Sequence, residues 1–126
     1  MQEKLEPKQE AIRYLNNALE VLERAGNEDN EYYEDSKYVK MACGTAYNGV
    51  LIALDEYLKR KGIKKTKGRK SETYYWEELG KIDRKLLNHY NAAYDILHLF
   101  GYYDGTKVKK VVKTGFDVAE KIINYL

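Results

Sequence analysis

Two histidines, His89 and His98, are the residues of this chain best suited to move a proton near neutral pH, and both fall within a single stretch that also carries Arg84, Asn88, Asn91 and Asp95. Arg84, Asn88, Asn91, Asp95 and His98 recur at steps of four, three, four and three, the spacing that lines one face of a helix. Two amides, a carboxylate and an imidazole on one face suit a binding groove or a self-association seam, with Asp95 and His98 as its proton-handling pair. A di-metal reading of Asp95 and His98 lacks the second carboxylate–histidine pair that such bundle sites require, so neither metal nor cofactor is expected. Ser36 and Ser71 read as helix caps and Cys43 lies in an apolar run, which leaves no activated nucleophile and favours a binding module over an enzyme.

A second group is electrostatic. The 12 residues from Lys59 to Lys70 hold eight cations and no acid, although the whole chain has a formal net charge of only +2. Lys64, Lys65, Lys67, Arg69 and Lys70, followed by Tyr74, Tyr75 and Trp76, combine phosphate-neutralising charge with stackable rings, the pairing used to bind single strands of RNA; an acidic protein is the other partner such charge would attract. The same cations also complement the C-terminal end of the preceding helix, as Glu28, Asp29, Glu31, Glu34 and Asp35 complement its start.

The elements that must position these residues are helical. Over 126 residues, one domain's length, no strand-like alternation occurs, and 44% hydrophobic with 33% charged residues is a globular composition. The first helix runs from Pro7 to Ala25, with Ile12, Leu15, Leu19, Leu22 and Ala25 as its apolar stripe and Ala11 and Ala18 beside it. The second, from Glu34–Ser36 to Gly62, is the central one, and its small residues Ala42, Cys43, Gly44, Ala46 and Gly49 admit a neighbour at close range. A short third helix follows the Ser71 cap and stops at Gly80. Asp83 caps a fourth, whose inward face is Leu86, Leu87, Tyr90, Ala93, Tyr94, Leu97 and Phe100 up to Gly101. The fifth spans Thr106 to Leu126. The pattern implies an all-α chain, residues 1–126 forming a single antiparallel four-helix bundle with a short connecting helix. Helix five starting at the end where helix one stops would set Lys107, Lys109 and Lys110 near Glu28, Asp29 and Glu31. No apolar run reaches membrane-spanning length and the N-terminus lacks a signal-like core, so a soluble, cytoplasmic protein with a reduced, buried Cys43 is expected.

Arg84-Lys85-Leu86-Leu87-Asn88-His89, an arginine followed after four residues by a histidine in a small helical bundle, resembles the motif of the HEPN superfamily, the higher eukaryote and prokaryote nucleotide-binding domains. Lys37 to Gly62 is similar to the second helix of that fold and Phe116 to Ile123 to its closing helix. The resemblance to this family, as a bacterial member, implies RNA binding or metal-independent RNA cleavage by a homodimer, with Arg84 and either His89 or His98 as the catalytic residues. At ~100° per residue, Arg84 and His89 lie ~140° apart on a straight helix, so convergence would need a partner chain. The position five before His98 is Ala93. The first expectation is therefore a dimeric binding module, with RNA recognition or cleavage as the alternative.

Overall fold

The computed structural model describes residues 5–63 and 71–126. It consists of α1 (Pro7–Glu23), α2 (Ser36–Arg60), α3 (Glu72–Ile82), α4 (Arg84–Ala93), a π-helical segment (Tyr94–Tyr103) that continues α4, and α5 (Lys109–Ile123). The all-α class is as the sequence implies. Two isolated bridge pairs, Asn27 with Tyr33 and Tyr32 with Val108, are the β-type pairing present among the described residues.

Capping follows the sequence signals at Ser71 and Asp83, whereas α2 is capped by Asp35 and not by Ser36, whose hydroxyl donates to the carbonyl of Gly105 at 2.8 Å. The side chains of Asp35, Ser71 and Asp83 accept from the amides of Lys37, Tyr74 and Leu86 at 3.0, 3.3 and 2.9 Å, satisfying donors that the first helical turn leaves open. α2 is central: it packs against α1, the π-helical segment and α5. Ala42, Cys43, Ala46, Val50 and Leu54 of α2 are fully buried, together with Leu86, Leu97, Val112 and Ala119 from the later helices.

α1 is rotated from the stripe its leucines suggest. Ala11 and Ala18 are fully buried, while Ile12 and Leu19 are exposed. Gly49 explains the choice, because a Cβ there would lie 3.2 Å from the carbonyl oxygen of Ala11 and 3.2 Å from Tyr14 Cβ. So close an approach has room for alanine, and the larger side chains are turned away from it.

The fourth helix also departs from a uniform α phase. From Tyr94 its hydrogen bonds run i→i+5, as in Asp104 N to Leu99 O at 3.0 Å. The wider turn buries Gly101 and turns Phe100 outward, where an unbroken α-helix would have placed Phe100 in the core. Helix five begins at Lys109, later than Thr106, because the preceding residues are held extended: Tyr33 N donates to Lys107 O and Lys109 N to Glu31 O, at 2.8 and 3.0 Å. Val108, in this extended stretch, is exposed. That contact sets α5's start beside the α1–α2 loop, and Lys107 Nζ lies 3.7 Å from Glu28 Oε2, the proximity expected from the sequence. No described helix is long and apolar enough to cross a membrane.

A candidate tyrosine-lined binding groove

α2, the start of α3 and the π-helical segment enclose an open groove with a volume of about 920 Å³. A void of that size matches the ~300 to 1,000 Å³ of small-ligand sites. Its walls carry Tyr47, Asn48 and Asp55 from α2, Glu72 and Tyr75 from α3, and Tyr94, His98 and Tyr102 from the π-helical segment.

The rings form one connected array. His98 stacks on Tyr47 with ring centroids 4.8 Å apart at 28°, and on Tyr102 at 5.9 Å and 18°. Tyr94 lies 5.1 Å from His98 on another side, and Tyr103 meets it edge-on at 4.9 Å. Tyr102 can reach α2 because residue 44 is glycine, whose added Cβ would stand 2.9 Å from the Tyr102 ring. Below this array the hydroxyls of Tyr47 and Tyr90 share a buried hydrogen bond of 3.0 Å.

Two of the tyrosine hydroxyls on the walls, those of Tyr75 and Tyr94, are directed onto carboxylates. Tyr75 donates to Asp55 at 2.8 Å. A hydrogen bond to Glu72, reinforced by partial burial, pushes the Tyr94 hydroxyl up to about 12. Burial raises Tyr75 and Tyr90 further, with the bonds to Asp55 and Tyr47 adding to it. These hydroxyls are therefore neutral donors at physiological pH, and Tyr75 and Tyr90 are buried within the wall while Tyr94 and Tyr102 are the more accessible rings. Stacking on a flat, unsaturated group is the chemistry this arrangement offers, with Asn48, Thr45 and Thr73 at the margin for polar contacts.

Of the histidines, the polar stripe and the stackable rings singled out from the sequence, His98 and Tyr75 line this groove, while Tyr74 and Trp76 do not. His89 borders a separate depression of about 560 Å³ with Lys85, Lys121, Asn124 and Tyr125. Partial burial lowers its pKa, and the charges of Lys121 and Lys85 lower it further. Arg84, Asn88 and Asp95 are exposed and Asn91 is half-buried; none of the four lines either cavity. The single stripe from Arg84 to His98 is broken where the π winding begins, which carries His98 into the tyrosines. Lys64, Lys65, Lys67, Arg69 and Lys70 lie outside the described residues. Among the described residues no three His, Cys, Asp or Glu side chains gather as a metal site.

Sequence reasoning passed over Tyr47, Tyr94, Tyr102 and Glu72. A signal for two of the rings, Tyr94 and Tyr102, was present: Tyr90, Tyr94, His98 and Tyr102 recur every four residues, an aromatic file along one helix.

An all-helical scaffold with an aromatic groove is the class of protein these features define. The chain belongs to the family described as a domain of unknown function (DUF5618), whose model matches residues 6–126. It is similar to a solved protein of unknown function from Dyadobacter fermentans, at 49% identity and a TM-score of 0.84 over 94% of this chain and 92% of that one. No match was found among curated proteins.

Proposed function

We propose that this protein is a non-catalytic binding module, working as a homodimer in the cytoplasm, whose ligand site is the tyrosine-lined groove. Its scaffold on this reading is an antiparallel four-helix bundle made by α1, α2, α4 with its π continuation, and α5. The observation that carries the reading is the placement of His98 between Tyr47 and Tyr102 on a wall of the groove. Stacked rings around an open void recognise planar groups through their faces, each worth ~1 to 3 kcal/mol where the planar group is a base. The test is titration with a nucleoside followed by NMR at His98 and the groove tyrosines. Saturable shifts confined to these residues are expected, and Tyr102→Ala should weaken binding by roughly 5- to 150-fold. Shifts that never saturate, or that Tyr102→Ala leaves unchanged, refute the site.

A second reading, an RNA-binding or RNA-cleaving protein of HEPN type, draws on a specific juxtaposition: the eight-cation stretch ends at Lys70, and the next residue, Ser71, lines the groove that holds His98. Single-stranded RNA binding should then fall with salt by roughly 0.7 log units per phosphate neutralised, and Lys64, Lys65 and Lys67 changed to Glu should abolish that dependence. Cleavage would demand more. A general acid–base histidine supplies ~10²- to 10⁴-fold in rate, so metal-independent cleavage lost in His98→Ala or His89→Ala would establish the nuclease. We expect wild-type protein to leave RNA intact.

A further inference from the structure

α1 meets the rest of the chain, chiefly α2, with the side that carries Ala11 and Ala18. A flank about 100° round the helix from those alanines is apolar and uncovered: Ile12 is 40% exposed and Leu19 46%, and Leu5, just before the helix, is 49% exposed. Ile12 and Leu19 are seven residues apart, two helical turns, and so form a line parallel to the axis. Lys8 and Glu23 belong to the same line. At ~100° per residue, Lys8, Ile12, Leu19 and Glu23 all fall within a sector of about 60°. Neither Lys8 nor Glu23 has an ion pair among the described residues, whereas Arg13, farther round the helix, is paired with Glu10 at 2.7 Å.

The order of these residues is self-complementary. Ile12 and Leu19 are equidistant from the point between Leu15 and Asn16, and Lys8 and Glu23 are equidistant from the same point. A second α1 laid antiparallel about a two-fold axis there sets Ile12 against the partner's Leu19 and Lys8 against the partner's Glu23, each contact occurring twice. A parallel pairing would instead oppose Lys8 to the partner's Lys8 and Glu23 to the partner's Glu23, which like-charge repulsion disfavours. We propose that this flank of α1 is a homodimer interface in which two α1 helices pack antiparallel, apolar at the centre and closed at each end by a lysine–glutamate pair. No residue of α1 lines the groove, so this surface stands or falls independently of the ligand site.

Sedimentation equilibrium over a range of protein concentrations tests the proposal. Wild type should be dimeric. Ile12→Glu or Leu19→Glu, each at an exposed position, should raise the dimer Kd at least about tenfold with an unchanged circular dichroism spectrum. Lys8→Glu and Glu23→Lys should each weaken the dimer, by about three- to tenfold at low salt, and the two together should restore it because each end pair is merely reversed. A wild type that stays monomeric at every concentration overturns the proposal, as does a dimer indifferent to Leu19→Glu. A double charge reversal no tighter than either single variant overturns the antiparallel register.

Discussion

The Tyr47–Tyr90 pair shows how a polar contact is accommodated inside this core. Tyr90 is wholly buried and Tyr47 nearly so, yet their hydroxyls satisfy each other at 3.0 Å. Removing one partner leaves the other without its bond in an apolar setting, where an unmet polar group costs about 1 to 3 kcal/mol. Tyr47→Phe and Tyr90→Phe should each therefore destabilise by about that amount in urea unfolding. The double variant, having no unmet hydroxyl, should lose clearly less than the sum. Strict additivity would show that the two hydroxyls do not depend on each other. Neither tyrosine could be read as half of a pair beforehand, because Tyr47 and Tyr90 are 43 residues apart and their contact is created by packing. Caps are different. Ser71 and Asp83 were legible since a cap acts on amides two or three residues away, and local order alone specifies it.

At the scale of elements, the α1 and α4 positions misjudged from periodicity share a cause. A hydrophobic pattern reports which residues would prefer burial, but the distance of approach between helices decides which side chains fit. Gly49 brings α1 so near that alanines take the interface, and the π winding after Ala93 admits Gly101 to the core in place of Phe100. Gly101 is packed directly on α2: a Cβ built there would overlap Cys43 Sγ and Cβ and lie 3.2 Å from Ile96 O. Because two of these obstacles are a side-chain root and backbone, they cannot swing aside. Gly101→Ala should therefore lower stability by about 1 to 3 kcal/mol, the usual cost of overfilling a packed interior, read as a fall in Tm. The same strain would be passed to Tyr102, the next residue, so weaker ring packing around His98 should accompany it in the NMR spectrum. An unchanged Tm would mean that the π-helical segment relaxes freely from α2. Cys43 itself, buried and with its thiol pushed up to about 12, should stay unmodified by alkylating reagents while the protein is folded.

The whole molecule is legible where charge and chain direction act together and obscure where rings gather from distant segments. Lys107 near Glu28 followed from antiparallel topology, although main-chain bonds from Tyr33 and Lys109 do most to hold that end, since an exposed ion pair contributes only ~0 to 1 kcal/mol. The 13 tyrosines, by contrast, carried no obvious message as a count. In the fold many of them share one electrostatic state. Burial raises the hydroxyl pKa of Tyr47, Tyr75 and Tyr90, and burial with a carboxylate neighbour pushes Tyr57 up to about 12. Tyr94 reaches about 12 through Glu72. An unfolded tyrosine loses its proton near pH 10, so between about pH 10 and 12 the unfolded chain binds fewer protons than the folded one. Stability must fall with rising pH across that window, while below pH 10 these groups are protonated in both states and contribute no slope. Tm measured from pH 8 to 12 should thus be level on their account at first and drop steeply above 10, with tyrosinate absorbance in the folded protein lagging behind that of free tyrosine. Replacing Tyr57 and Tyr75 by Phe should flatten the drop even if it lowers the plateau. A folded protein whose tyrosines all ionise near pH 10 with no loss of Tm would contradict the burial of these hydroxyls and the bonds of Tyr57 and Tyr75 to Asp83 and Asp55.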